Sequence, residues 1–269
     1  SGEVPVRGVT LAGGEPLVRA DLEEIVSLLN GLGITTGLAT NGRLLDQARL
    51  RALLDAGVSH VEVSLPATGA GVYDALSGCD NVQPVRQALL ELGAAHVPYT
   101  VSCILTALNR GAVTEVIELA AAFGAAGVSL NRFVPGGRGA GNRERLALTD
   151  EQLAEELDSA AAAAGRCGIP VTCTIPVEPC LFPHNRWPHL QFTACICGDG
   201  KWTIGPDGGL RTCEQNPEVL GSLFERDFRE LSALPAVAAF RDADQDRALC
   251  VACADYPVCG GGCRFLPSG

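Results

Sequence analysis

The feature that most constrains this chain is a cysteine string near its end. Cys250, Cys253, Cys259 and Cys263 follow the spacing Cys-x2-Cys-x5-Cys-x3-Cys. Four soft thiolates so close in sequence are typical of a metal site, because a fold that gathers them provides ligands for an iron–sulfur cluster or for zinc. The string therefore predicts a metal-binding lobe, with both metals open at this point.

Further cysteines extend the predicted lobe. Cys195 and Cys213 bracket a predicted hairpin with its turn at Pro206-Asp207-Gly208-Gly209, and Gly208 and Cys213 form the pattern Gly208-x4-Cys213. Cys180 and Cys197 are additional candidates. In a reduced cytosol such spacing favours metal ligation over disulfides.

The first part of the chain alternates short apolar runs with amphipathic segments, which is typical of repeated βα units and a parallel sheet. The predicted strands are 9–12, 34–39, 61–65, 99–105 and 128–133, and the predicted helices are 22–32, 44–56, 82–92, 113–123 and 149–164. In a βα barrel the carboxyl ends of the strands carry the active site. The pocket is therefore expected at Gly13 to Glu15, Thr40, Asn41, Ser64, Ser102, Asn131 and Arg132.

The string Gly13-Gly14-Glu15-Pro16 directly follows the first predicted strand. Two glycines let the backbone approach a ligand closely, and a carboxylate beside them suits a ligand ammonium group. The same residues also suit a tight βα turn with an exposed glutamate.

Together, these motifs resemble those of a radical S-adenosylmethionine (SAM) enzyme with a SPASM extension. The resemblance implies an α/β fold: a partial (β/α)6 TIM-like barrel over residues 1–170, without its first strand and cluster loop, and a Cys-rich C-terminal α+β SPASM lobe over 171–269. In that family a [4Fe–4S] cluster cleaves SAM to a 5′-deoxyadenosyl radical, which abstracts hydrogen from the substrate.

The resemblance also implies a substrate and partners. It favours a peptide or protein, above all a ribosomally made precursor that is cross-linked, epimerised or oxidised, and an external electron donor. Sulfatase maturation and tetrapyrrole modification are alternatives within the family. A zinc-binding scaffold and a substrate-binding partner without a radical cluster are alternatives outside catalysis.

Residue by residue, the resemblance gives Gly13, Gly14 and Glu15 as contacts of the methionyl amino group, with Thr40 and Asn41 beside them. Ser64 would reach the methionyl carboxylate, and Ser102 and Arg132 occupy matching rim positions.

The resemblance also implies two auxiliary [4Fe–4S] clusters. The first would be held by Cys180, Cys195, Cys213 and Cys263, and the second by Cys250, Cys253, Cys259 and a later ligand. Cys197 could replace Cys195, and Glu214 is either a catalytic base or an exposed hairpin acid.

The chain departs from the family pattern in places. The Cys-x3-Cys-x2-Cys motif of the radical cluster and the last SPASM cysteine are missing, and the chain has no Met. We therefore expect a longer protein whose upstream segment supplies the radical cluster. Ser64-Leu65-Pro66-Ala67 replaces a Ser-Leu-Asp-Gly string, and Ser77 stands where some relatives have arginine, so the carboxylate clamp is expected to fall to Arg132.

Charge and hydropathy exclude other classes. The chain has 20 Lys and Arg against 31 Asp and Glu, a formal net charge of −11. That balance argues against a nucleic-acid surface. The sequence shows no apolar run of membrane-spanning length and no signal-peptide layout, so a cytoplasmic protein without a membrane partner is expected.

Overall fold

The computed structural model describes residues 6–79, 81–242, 250 and 252–266. Its main feature is a parallel sheet in which each strand pairs with the next along the chain. The strands are β1 (Gly8–Leu11), β2 (Thr35–Thr40), β3 (Val58–Ser64), β4 (Tyr99–Leu105), β5 (Gly127–Arg132), β6 (Val171–Cys173) and β7 (Leu190–Phe192). The sequence predicted the first five of these strands. The last two extend the sheet beyond residue 170.

The helices that connect these strands are α1 (Leu22–Gly31), α2 (Gln47–Ala56), α3 (Ala70–Ser77), α4 (Gln83–Ala94), α5 (Val113–Ala122), α6 (Arg143–Leu146) and α7 (Asp150–Cys167). Helix α7 begins at a capping box, in which Thr149 and Gln152 exchange hydrogen bonds. Helix α2 ends at Gly57, whose φ of 112° lies in the left-handed region that glycine adopts without strain.

The two faces of the sheet differ in chemistry. The face toward the helices carries buried apolar side chains such as Leu38, Val61, Val101 and Leu130. Because side chains alternate along a strand, the intervening residues share the other face. We call this the open face. It is mostly polar, and its members include Thr10, Gly37, Ala39, His60, Glu62, Ser64, Thr100, Ser102, Ile104, Ser129, Asn131 and Thr172.

Cross-strand contacts support this assignment of the open face. His60 Nε2 lies 3.1 Å from Thr100 Oγ1 on the next strand. A Cβ added at Gly37 would lie 3.4 Å from Thr10 Oγ1. One face of the sheet is thus an apolar core, and the other is a polar surface.

Beyond β7 the elements are short. Strands β8 (Thr203–Ile204), β9 (Gly209–Arg211) and β10 (Gly221–Ser222) form an antiparallel sheet, and the helices are α8 (Phe228–Ser232), α9 (Pro235–Asp242) and α10 (Tyr256–Cys259). The predicted hairpin is present as β8 and β9. Helices α8 and α9 are separate, because Pro235 has no N–H to continue α8 and instead begins a new helix.

No helix in the described part of the chain is both long and apolar enough to cross a membrane.

Candidate functional site

The Gly-Gly-Glu-Pro turn is fastened to the end of the neighbouring strand. The Glu15 carboxylate accepts hydrogen bonds from Thr40 Oγ1 at 2.6 Å, from the Asn41 backbone N–H at 2.7 Å and from the Leu17 backbone N–H at 3.1 Å. Thr40 is itself fixed, because its hydroxyl oxygen accepts a hydrogen bond from Gly42 N–H at 3.0 Å. The structure therefore brings Gly13, Gly14, Glu15, Thr40 and Asn41 together, as the sequence predicted.

This arrangement leaves room for a cationic ligand. A carboxylate has about four acceptor positions, and the protein fills three of those on Glu15. A Cβ built on Gly13 or Gly14 would meet no atom within 4 Å, so the backbone beside the carboxylate is uncovered. The turn can thus present one anionic acceptor position and bare backbone to an ammonium group.

Ser64 and Ser102 occupy paired positions on β3 and β4, and Ser102 is paired in turn with Ser129 on β5. These three hydroxyl groups form a row across the open face.

Arg132, at the end of β5, forms an ion pair with Glu178. Its Nη2 donates to both Glu178 carboxylate oxygens, at 2.6 and 2.7 Å, and each side chain of this pair is only 12% exposed.

Three cysteines of the lobe are close enough to interact. The Sγ atoms of Cys197 and Cys213 and a Glu214 carboxylate oxygen lie within 4.8 Å of one another. A hydrogen bond from Cys197 lowers the pKa of the Cys195 thiol to about 6 and also lowers that of Cys213. The pKa of Cys197 is raised by these same two neighbours. Three thiols that interact this closely are a donor set that suits iron–sulfur or zinc.

Two cysteines of the tail, Cys263 and Cys259, lie near different groups of residues. Burial raises the pKa of the Cys263 thiol, and the charges of Cys195 and Cys213 raise it further, so Cys263 lies close to the hairpin group. Burial also raises the pKa of Cys259, on which the charges of Glu178 and Cys180 act in the same direction. Cys253 donates its backbone N–H to Cys250 O at 3.2 Å, in the turn that precedes α10.

Glu214, the proposed base, is held in an ion pair. Lys201 Nζ lies 2.9 Å from its Oε1, and both side chains are about half exposed. Burial opposes ionisation of this carboxyl, but the hydrogen bond and charge of Lys201 outweigh it, so the pKa is lowered.

Sequence reasoning missed Glu62, Glu178 and Lys201. Glu62 lies on the open face between His60 and Ser64, and Glu178 connects the end of β5 to the lobe. The alternation His60-x-Glu62-x-Ser64 in an otherwise apolar strand could have indicated the first of these. No sequence signal indicates that Glu178 would meet Arg132.

Comparisons with known proteins decide the family. A family model described as "Radical SAM superfamily" matches residues 2–120. The chain is 31% identical over 270 residues to a protein named PqqA peptide cyclase from Methylocella silvestris, covering 97% of this chain and 70% of that protein. The chain belongs to the radical SAM superfamily. The resemblance read from the sequence is thereby confirmed.

Other radical SAM proteins are similar over most of the chain. A protein named AdoMet-dependent heme synthase from Methanosarcina barkeri is 26% identical, covering 94% of this chain and 76% of that protein. Among solved structures, SuiB of Streptococcus suis, bound to precursor peptide SuiA, has a TM-score of 0.78 at 14% identity and covers 95% of this chain and 61% of SuiB. The enzyme anSMEcpe with bound AdoMet has a TM-score of 0.73 at 16% identity and covers 98% of this chain and 73% of that one. These structural likenesses show the shared fold, and the predicted partial barrel is confirmed.

Membership of the superfamily implies SAM and a [4Fe–4S] cluster, and the residues present fit the SAM part of that pair. The Glu15 carboxylate retains an acceptor position beside uncovered glycine backbone. The free thiols of the lobe have the soft donor chemistry that further iron–sulfur clusters require.

Proposed function

We propose that this radical SAM enzyme modifies a peptide substrate, such as a ribosomally made precursor, by cross-linking, epimerising or oxidising a side chain. The observation that carries the proposal is the 31% identity to a PqqA peptide cyclase over 97% of the chain. When bound, SAM and its [4Fe–4S] cluster supply the radical that removes a hydrogen atom from the substrate. The residues of this chain bind SAM, orient the peptide and support the lobe.

At the rim we propose that Gly13, Gly14 and Glu15 bind the methionyl ammonium group, while Thr40 and Asn41 hold the Glu15 carboxylate in position. Ser64 and Ser102 are proposed contacts of the methionyl carboxylate. Arg132 was also expected there, and its ion pair with Glu178 places it at the connection to the lobe as well.

In the lobe we propose two auxiliary clusters. For the first cluster, the geometry favours the ligands Cys195, Cys197, Cys213 and Cys263. The resemblance had implied Cys180 in place of Cys197. The second uses Cys250, Cys253 and Cys259, with a fourth ligand from further along the chain or from Cys180, which acts on Cys259.

The remaining parts of the proposal follow from this chemistry. An external electron donor reduces the radical cluster, Glu214 is a candidate base near the first auxiliary cluster, and the enzyme works in the reducing cytoplasm. We also keep the division of the chain into a barrel and a SPASM lobe as a proposal, but we move its boundary from 170 to beyond β7, because β6 and β7 belong to the parallel sheet.

The test uses the full-length protein, reconstituted with iron and sulfide without oxygen. It is incubated with SAM, dithionite and synthetic peptides encoded by short reading frames beside its gene. We expect a mass change in one peptide, matched by formation of 5′-deoxyadenosine. SAM cleavage that no peptide stimulates, with every peptide unchanged in mass, would contradict the proposal.

A second candidate is tetrapyrrole modification, favoured by the similarity to an AdoMet-dependent heme synthase over 94% of the chain. The same assay separates the two. If an iron porphyrin with propionate side chains is converted and peptides are not, the second function replaces the first.

A further inference from the structure

The open face contains one unusual side chain. Glu62 is the only acidic residue within strands β1 to β7 as the structure describes them. It shares the open face with His60 and Ser64, because residues two apart on a strand point the same way. Strand geometry places it about 7 Å below Ser64, one layer deeper than the proposed SAM contacts at the rim.

The surroundings of Glu62 are polar without neutralising its charge. Burial raises the pKa of this carboxyl, while the charges of His60 and Lys201 and the hydroxyl groups of Ser129 and Ser102 act in the opposite direction. Among the described residues, no cationic nitrogen lies within the 4.0 Å of an ion pair with Glu62, and Lys201 is paired with Glu214 instead. The Glu62 side chain is only partly buried, so its carboxylate keeps some access to the open face.

A partly desolvated carboxylate without a paired cation is costly unless a cation arrives from outside. The protein keeps Glu62 on a surface whose other polar groups are hydroxyl, amide and imidazole. Hydroxyl neighbours orient and support the ionised form, and its partial burial strengthens its attraction for an incoming positive charge. The methionyl ammonium group of SAM already has an acceptor in Glu15, which lies a layer higher.

We propose that Glu62 is a specificity-determining residue that pairs with a cationic side chain, lysine or arginine, of the peptide substrate. This inference rests on the proposed peptide-modifying function and adds the chemistry by which the peptide is chosen. The paired side chain enters across the open face beneath SAM and contacts the Glu62 carboxylate between β3 and β4.

The experiment uses the full-length reconstituted protein with SAM, immobilised without oxygen, and an mRNA-displayed library of random decapeptides. We expect the wild-type protein to enrich peptides with lysine or arginine at one position. Glu62→Gln, which keeps the shape and removes the charge, should lower that enrichment by roughly 30-fold, the loss typical of removing one partner of a desolvated charge pair. Glu62→Lys should reverse the preference toward aspartate and glutamate.

Two controls separate charge recognition from a general defect. Glu24→Gln changes an exposed carboxylate on α1 and should keep the wild-type preference. SAM affinity, measured by equilibrium dialysis, should stay within about twofold in Glu62→Gln, since Glu15 and not Glu62 is the proposed ammonium contact.

The outcomes that overturn the inference are distinct. A cation preference that survives in Glu62→Gln would contradict it, and so would a loss of SAM affinity with unchanged peptide preference. Enrichment of peptides without any cation preference would overturn this inference alone. If the wild-type protein enriches no peptide at all, the peptide-modifying function fails and this inference fails with it.

Discussion

The sheet and the lobe are stabilised in different ways. All residues of the main apolar cluster lie between Leu17 and Leu190, and many of them, such as Leu53, Val63 and Leu89, are completely buried. After β7 the described strands have two or three residues each, and few side chains are buried, among them Leu210, Leu231, Cys213 and Cys263. The sheet has the apolar burial that a fold needs, whereas the described part of the lobe has little, so we expect the lobe to depend on the proposed clusters at its cysteines.

The largest expected effect separates these two modes of stabilisation. Cys213→Ala removes a central thiol of the hairpin group, so we expect loss of about four iron atoms per chain and unfolding of the lobe while the sheet persists. Iron analysis with hydrogen–deuterium exchange measures both. Cys79→Ala, at a half-buried cysteine of the barrel, is the matched control; equal iron loss in the two variants would contradict the assignment.

The converse change affects the barrel only. Leu89→Ala empties a fully buried position in α4 and should lower the free energy of unfolding of the barrel by about 3 kcal/mol. Iron content at low temperature should not change. Leu90→Ala, on the exposed side of the same helix, should cost less than about 0.5 kcal/mol in the same urea titration.

The connection between the two regions is the Arg132–Glu178 pair. Glu178→Gln leaves the Arg132 guanidinium mostly buried with a weaker partner, which should destabilise this contact by about 2 kcal/mol. Hydrogen exchange around Gly262 should then be faster, because the Glu178 carboxylate packs directly on that glycine. Glu155→Gln breaks the exposed pair with Arg110 and should change exchange little; similar effects of both changes would argue against a connecting role.

The smallest expected effect concerns the rim. Thr40→Val removes the hydroxyl that positions Glu15, so SAM affinity should fall about tenfold. Isothermal titration of the reconstituted protein measures it. Thr36→Val changes a buried threonine of the same strand whose hydroxyl donates to the Ile34 carbonyl, away from Glu15, and should leave the affinity intact. An unchanged SAM affinity in Thr40→Val would contradict the proposed role of Thr40 in positioning Glu15.

The fold was predictable where segments are long and periodic. Strand β4 begins and ends at the predicted residues, because its alternation of buried and more exposed positions is continuous. Strands β6 and β7 were missed because three residues are too few to show a period. Helix α3 was missed because small residues typical of a loop lie at its start: Gly69 is its N-cap, and Ala70 and Gly71 are its first two residues.

The site was predictable in its composition more than in its contacts. Parallel strands bring their carboxyl ends to one edge, so Glu15, Thr40 and Asn41 were expected together. The hydrogen bond from Thr40 to Glu15 depends on the exact path of the turn, which sequence does not encode locally. Likewise, the spacing of the cysteines indicates ligands, but how they are grouped depends on how the tail packs against the hairpin.

The open face also bears on how such an enzyme can change over generations. Its hydroxyl, imidazole and carboxylate groups contribute little to the apolar core, which lies on the opposite side of the same strands. Substitutions there are therefore expected to alter what is recognised with little loss of folding stability. A laboratory evolution campaign aimed at new peptides would do best to vary these positions and to leave their helix-facing neighbours untouched.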